Sequence, residues 1–325
     1  MKDVEQMGVK PVKEKAKVIE PDSLSAAVTF GEYAYSMIET QYRSMVKRER
    51  KVLADEDPEH LHQMRVATRR LRTALQVFQA AIALPGVAGQ KRIGALARTL
   101  GGLRDLDVQI ADLKTTYRPQ VGDQEKNVLD EVIHSLKKQR RQAYAAVEAA
   151  LGRSRYQDLK TAYEAWFSQP QLTPLATLPL STLLPDLLSP LIAELLLHPG
   201  WMVAADDNSP HADHTLHDLR KAFKHVRYQT EFFTPFYGDS FQAWVAEIKI
   251  IQEKLGKLQD SHVLRELLQT HLPDPTQLPT LQTTIQQTRS EVLSDWDETR
   301  WHYLQPEFRF QLYQMLLKPS ERTLN

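Results

Sequence analysis

His62-Gln63-Met64-Arg65-Val66-Ala67-Thr68-Arg69-Arg70-Leu71-Arg72 and His217-Asp218-Leu219-Arg220-Lys221-Ala222-Phe223-Lys224-His225-Val226-Arg227 are two copies of one pattern, 155 positions apart. His62 matches His217, Arg65 matches Arg220, Arg69 matches Lys224 and Arg72 matches Arg227. At about 100° per residue, the three arginines of the first copy fall within an arc of roughly 80° beside His62. Met64, Leu71, Leu75 and Phe78 fall on the opposite side and predict a core-facing stripe. Leu219, Phe223, Val226 and Phe233 take that place in the second copy. Each copy therefore reads as an amphipathic helix with a cation ladder about 15 Å long, from ten residues at about 1.5 Å each.

A second motif repeats at the same offset. Leu100-Gly101-Gly102-Leu103-Arg104-Asp105-Leu106-Asp107-Val108 matches Leu255-Gly256-Lys257-Leu258-Gln259-Asp260-Ser261-His262-Val263. Two motifs at one offset mean that a helix, a break and the following helix were duplicated together. The glycines predict close helix approach, and Asp105 and Asp260 predict mainly structural carboxylates, each fixing an arginine.

Working outward, helical periodicity runs from about 23 to 53, to about 83 in the first ladder helix, and over 90–116, 124–151 and 154–167. The acids and proline of Asp55-Glu56-Asp57-Pro58-Glu59 predict the start of the first ladder helix. Seven prolines lie between Pro170 and Pro210 and mark the midpoint, although 183–198 is apolar enough for a helix bent by Pro185 and Pro190. Helices follow to about 233, over 241–270, from about 281, and over 306–317. No strand alternation is found, so the fold class is all-α. The expected organisation is a flexible leader at 1–22 and one helical region at 23–318. That region comprises a first repeat at 23–168, a proline-rich linker at about 169–180 and a second repeat at 181–318.

The 325 residues include only 12 glycines, and cysteine is absent. That excludes disulfides and thiolate metal sites and fits a reducing compartment. No signal-peptide pattern precedes the helices, and no run approaches ~18 uninterrupted apolar residues, so a cytoplasmic protein without a membrane span is expected. Lys plus Arg equals Asp plus Glu at 41 each. Anion binding must therefore come from local charge, and a global field of the kind that attracts nucleic acid is excluded.

Solvated helix faces usually mix charge signs at i,i+4, yet residues 60–80 contain no acid. Like charges at these spacings repel, so a duplicated ladder makes sense if an anion bridges it. Arginine suits phosphate through its planar donor fork. The candidate binding residues are His62, Arg65, Arg69, Arg70, Arg72, His217, Arg220, Lys224 and Arg227. Arg104 and Lys249 are secondary additions from the neighbouring helices, and Arg155 is a more distant one. His60 and His62 point to different sides, and the His211, His214, His217 spacing is missing from the first copy, so no metal or other cofactor is expected. The aromatics fall in core stripes. A paired-carboxylate site and a P-loop are both missing, so no catalysis is expected.

These residues resemble the CHAD family, the conserved-histidine α-helical domains. The likeness rests on His62-x-x-Arg65-Val66-x-x-Arg69-Arg70-Leu71-Arg72 and Leu100-Gly101-x-x-Arg104-Asp105-x-Asp107-Val108. Arg155-Tyr156 with Trp166, His217-x-x-Arg220-x-x-x-Lys224-x-x-Arg227-Tyr228 and Leu255-Gly256-x-x-Gln259-Asp260 complete it. The resemblance implies two pseudo-symmetric four-helix bundles around a basic central channel. It also implies binding of inorganic polyphosphate, and frequent association with polyphosphate granules and their proteins. The proline-rich start of the second half and the acidic Glu253 depart from the pattern. Two other readings are an enzyme, metal or phosphoryl-histidine protein acting on a phosphorylated polyanion, and a nucleic-acid binder.

Overall fold

The computed structural model describes residues 28–272 and 277–319; the leader expected at 1–22 lies outside them. Twelve α-helices form the described residues: α1 Phe30–Val46, α2 Glu49–Ala54, α3 Pro58–Val77, α4 Gln90–Asp112, α5 Asp123–Gly152, α6 Ser154–Ser168, α7 Leu180–Leu196, α8 Pro210–Phe233, α9 Asp239–His271, α10 Pro279–Val292, α11 Trp296–Leu304 and α12 Pro306–Leu316. The fold is all-α, with only isolated bridges and no strand among the described residues.

Both ladder helices start on side-chain caps that replace missing intrahelical partners. Asp57 accepts from the Glu59 amide ahead of α3, and Ser209 accepts from the Ala212 amide ahead of α8; each helix has proline at its first position. The single helix expected over 23–53 is broken instead. α1 stops at Val46, and α2 ends at Ala54 and is capped by Asp55, whose φ of 51° lies in the left-handed region. A short polar side chain tolerates that conformation better than a bulky one. Its carboxylate accepts both terminal nitrogens of Arg140 at 2.7 Å, so the turn is tied to α5. The long C-terminal helix expected from Leu281 is also divided, into α10 and α11.

One large apolar core runs through both halves. Met64, Leu71, Leu75 and Phe78 are buried in it, as are Leu219, Phe223, Val226 and Phe233, so the predicted stripes of both ladder helices face inward. Tyr33, Phe78, Phe232, Phe233 and Phe236 pack edge to face where the C-terminal ends of α3 and α8 meet α1. The Tyr33 hydroxyl donates to the Phe232 carbonyl. A second core joins the ends of α4 and α9 to α5 and α10, through Ile110, Leu129, Leu136, Leu264, Leu268 and Leu281.

The proline-rich segment after α6 is docked against the first half. Phe30 N donates to Leu178 O at 2.9 Å, and Thr173 N donates to Ala81 O at 3.0 Å. Gly31 makes that approach possible, because a Cβ there would meet the Ala176 Cβ at 2.8 Å. The stretch Leu180–Met202 has a mean hydropathy of 1.6 and is long and apolar enough to cross a membrane by length and composition. This departs from the sequence expectation. Its apolar content serves the fold: Leu180, Leu184, Leu188, Ile192 and Leu195 are fully buried, and Leu183, Leu187 and Leu191 pack against the core.

Candidate polyanion-binding face

Each ladder helix lies against a glycine-bearing helix, α3 on α4 and α8 on α9. The glycines do something more specific than admit close helices. A Cβ at Gly101 would stand 3.5 Å from Arg65 Nε, and one at Gly256 would stand 3.7 Å from Arg220 Nε. The bare backbone is a seat beside which the guanidinium lies in van der Waals reach. Arg72 uses a further seat, with its Nε 3.6 Å from a Cβ placed on Gly94, and Arg98 beside it. Arg65 also reaches Asp105 at 3.5 Å, as an arginine-fixing aspartate should.

The cations of the two halves come together. Lys224, half-buried on α8, has its ammonium pushed down to about 8, first by burial and then by Arg220, Arg69 and Arg65; Asp260 opposes the shift. Two of those arginines belong to α3, so the α3 and α8 ladders share one field. Arg69 lies with its guanidinium carbon 4.1 Å from the centre of the Tyr228 ring, and Arg227 lies 5.5 Å from the same ring. Burial pushes the Arg69 guanidinium below its usual range, with Arg65, Arg227 and Arg70 adding to the effect and Tyr228 opposing it. The Nε atoms of Arg69 and Arg220 are shut off from water and have no hydrogen-bond partner among the described residues. An unpaired buried donor is costly.

The far end of the ladders is different. Glu231 accepts from Arg227 Nε at 2.8 Å and from Arg70 at 3.3 Å, and Gln252 takes Arg227 Nη1 at 3.0 Å. The absence of acid from residues 60–80 suggested a ladder lacking any internal counter-charge. Glu231 supplies one from the other half of the chain, one turn beyond the motif that was read.

His62 and His217 sit at the near end. Burial, and then Arg104 with Arg65 and Arg69, lowers His62; burial, then Lys221 and Arg220, lowers His217, against a hydrogen bond with Gln259. Both rings are therefore held toward the neutral form, as donors or acceptors rather than added cations. Arg104 stands by His62 where Gln259 stands by His217. Lys249 is exposed on α9, with Glu253 at 3.9 Å. Arg155 is exposed in the first turn of α6, where its carbonyl accepts from Arg92. The structure thus gathers ten of the candidates around the α3 and α8 ladders and leaves Lys249 and Arg155 on exposed ground.

Tyr228, Glu231 and Asp112 were missed in the sequence, whereas Asp260 was expected as an arginine-fixing carboxylate. Tyr228, grouped with core aromatics, carries two guanidinium groups on its face. Glu231 was outside the motif. Asp112 and Asp260 are 148 positions apart in the chain, yet share a field: burial and then Asp260 push the Asp112 carboxyl up. Asp260 keeps contact with solvent, yet its crowded surroundings push its carboxyl up against the pull of Arg220 and Lys224. The Leu-Gly motif marks Asp260 at the place of Asp105, and no such signal marks Asp112.

A family model described as the CHAD domain matches residues 36–269, a segment containing both ladder helices and both glycine motifs. Among solved structures, the CHAD domain from the plant Ricinus communis is similar at 27% identity and a TM-score of 0.60; the alignment covers 95% of this chain and 97% of that one. PptA from Streptomyces chartreusis is 18% identical with a TM-score of 0.59, over 84% of this chain and 99% of its own, a likeness of fold alone. No curated protein matches. With well over half of its length matched, the chain belongs to the CHAD-domain family.

Proposed function

We propose that this protein binds inorganic polyphosphate without transforming it, along the facing ladders of α3 and α8. The observation that carries the reading is the crowding of Lys224, Arg220, Arg69 and Arg65 into one field, with two buried Nε donors unpaired. Such a cluster is unfavourable alone and is stabilised by a chain of closely spaced negative charges. Phosphates would bridge Arg65, Arg69, Arg220 and Lys224, with Arg72 and Arg104 extending the track. In this reading the halves are two pseudo-symmetric four-helix bundles and the track is the channel between them. The same binding would bring the protein to polyphosphate granules in the cytoplasm.

The test is titration of fluorescently labelled polyphosphate into the wild type and an Arg69→Ala/Lys224→Ala variant. Strong, salt-sensitive binding lost in the variant is expected. Undiminished binding by the variant removes the site, and RNA competing equally per phosphate removes the ligand. Chain shortening during incubation with Mg²⁺ or Mn²⁺ would establish an enzyme instead.

A further inference from the structure

A cleft of about 590 Å³ lies between α8, α9 and α10, beyond the His217 end of the ladder. Its apolar surface comes from Leu255, Leu258 and Ile285, and its polar surface includes His217, Lys221, His262 and Arg265. The walls are mixed, with the carboxylates of Asp213 and Glu266 beside the basic groups, and a concave pocket of this size with a few convergent polar groups is the usual form of a small-molecule site. His217 and His262 each have an Nδ1 that is shut off from water and unpartnered among the described residues. Arg265 is exposed and has no carboxylate partner among the described residues, whereas His262 Nε2 lies 3.3 Å from Glu266 and Lys221 is paired with Asp218 at 2.8 Å. The wall formed by α10 is fixed. Arg289 is bound to Asp213 and donates to Asn208 Oδ1 at 2.8 Å and to the Asp207 carbonyl at 2.6 Å.

The matched corner of the first half is filled. His262 corresponds to Asp107, which accepts from Arg140 Nε at 2.7 Å, and the same arginine holds Asp55. Gln259 corresponds to Arg104. The second half has thus lost a clamped ion-pair network and gained a neutral amide, an imidazole and a cleft. A bare phosphate chain has no use for a leucine and isoleucine wall. A small organic phosphate has use for both surfaces: a planar apolar body against Leu258 and Ile285, and a phosphoryl group toward Arg265, displacing Glu266 from His262 and Asp218 from Lys221.

We propose that this cleft binds a small organic phosphate of the nucleoside phosphate type, separately from the polyphosphate track. The test uses the full chain and N-methylanthraniloyl-ADP as a fluorescent probe, with unlabelled ADP and inorganic pyrophosphate as competitors. Saturable binding is expected, with pyrophosphate competing at least tenfold less well than ADP. His262→Asp, which installs the residue of the first half, and Arg265→Glu should each weaken the probe at least tenfold. Both variants should melt as the wild type does, and His262→Asp should bind long-chain polyphosphate as before. Arg69→Ala/Lys224→Ala should retain the probe while losing polyphosphate, so the two sites fail independently. Absence of saturable binding, binding that survives both cleft variants, or equal competition by pyrophosphate overturns the proposal.

Discussion

The α3–α4 and α8–α9 pairs share their guanidinium seats and differ in their charge. Arg65 lies on Gly101 as Arg220 lies on Gly256. Around those seats the first half has Arg69, Arg98 and Arg104 where the second has Lys224, Glu253 and Gln259. Arg72 rests on bare backbone at Gly94, whereas its match, Arg227, is held by Glu231 and Gln252. The backbone therefore fixes where a cation lies, and the surrounding side chains set how much of its charge remains for a ligand. On the proposed function the first half would be the stronger anion face, and each difference can be erased by giving the second half the residue of the first.

The comparison breaks most severely if the shared centre is removed. Arg69→Ala/Lys224→Ala deletes one cation from each half at the point where the ladders share a field. Charged hydrogen bonds contribute about 1.5–3 kcal/mol each, so polyphosphate affinity should fall roughly a hundredfold or more at low salt. Fluorescence polarisation with labelled polymer measures it, and circular dichroism checks that the helices persist.

Proton linkage comes next in size, because Lys224 titrates at about 8 where Arg69 stays charged. A bound polyanion favours the charged ammonium, so affinity should fall by up to roughly tenfold from pH 7.5 to 9, with proton uptake on binding. Lys224→Arg should flatten that profile. Stability of the free protein runs the other way. The folded pKa is depressed from 10.5 to about 8, so between those values the unfolded chain holds more protons and this residue's contribution to stability rises with pH. Melting temperatures of wild type and Lys224→Arg across pH 7.5–10 should therefore diverge; parallel curves would show that Lys224 is not held in the shared field.

Glu231→Gln installs the residue matched at Gln76 and releases Arg227 and Arg70 from their common carboxylate. Exposed or half-exposed ion pairs are worth about 0.2–1 kcal/mol, which sets the expected gain in polyphosphate affinity at about fivefold or less. The salt dependence should steepen, because more cations would exchange counterions on binding. A loss of affinity would mean that Glu231 holds the two arginines in the binding geometry instead of competing with the ligand.

Both ladder helices were legible because each obeys a local rule: a cap, a proline at the first turn and apolar residues at helical spacing. The duplication was legible from spacing alone. The break after Val46 was not, because residues 43–53 keep helical composition, whereas the turn at Asp55 was signalled by the acids and proline of 55–59. Glu231 and Tyr228 were missed for a different reason. Their roles depend on α3 and α8 meeting at Phe78, Phe232 and Phe233, and helical projection describes one helix at a time. The glycine seats lay between these cases: the motif was visible, but only packing showed that Arg65 and Arg220 fill them.

The smallest effect concerns Glu253, which stands where the first half has Arg98. Glu253 is exposed and 3.9 Å from Lys249, so it offsets a cation that itself lies in solvent. Glu253→Arg reverses that charge and frees Lys249 together. Both groups are well solvated, so the gain in polyphosphate affinity should be about twofold near 50 mM salt and vanish near 300 mM, where the Debye length has shrunk to roughly 6 Å. Lys249→Ala should lose no more than about twofold under the same conditions. A gain that persisted at high salt would place Lys249 in direct contact with the polymer and extend the track along α9. A null result at low salt would confine the track to the α3 and α8 ladders with Arg104, and would make the charge difference between the halves matter only where side chains are partly removed from water.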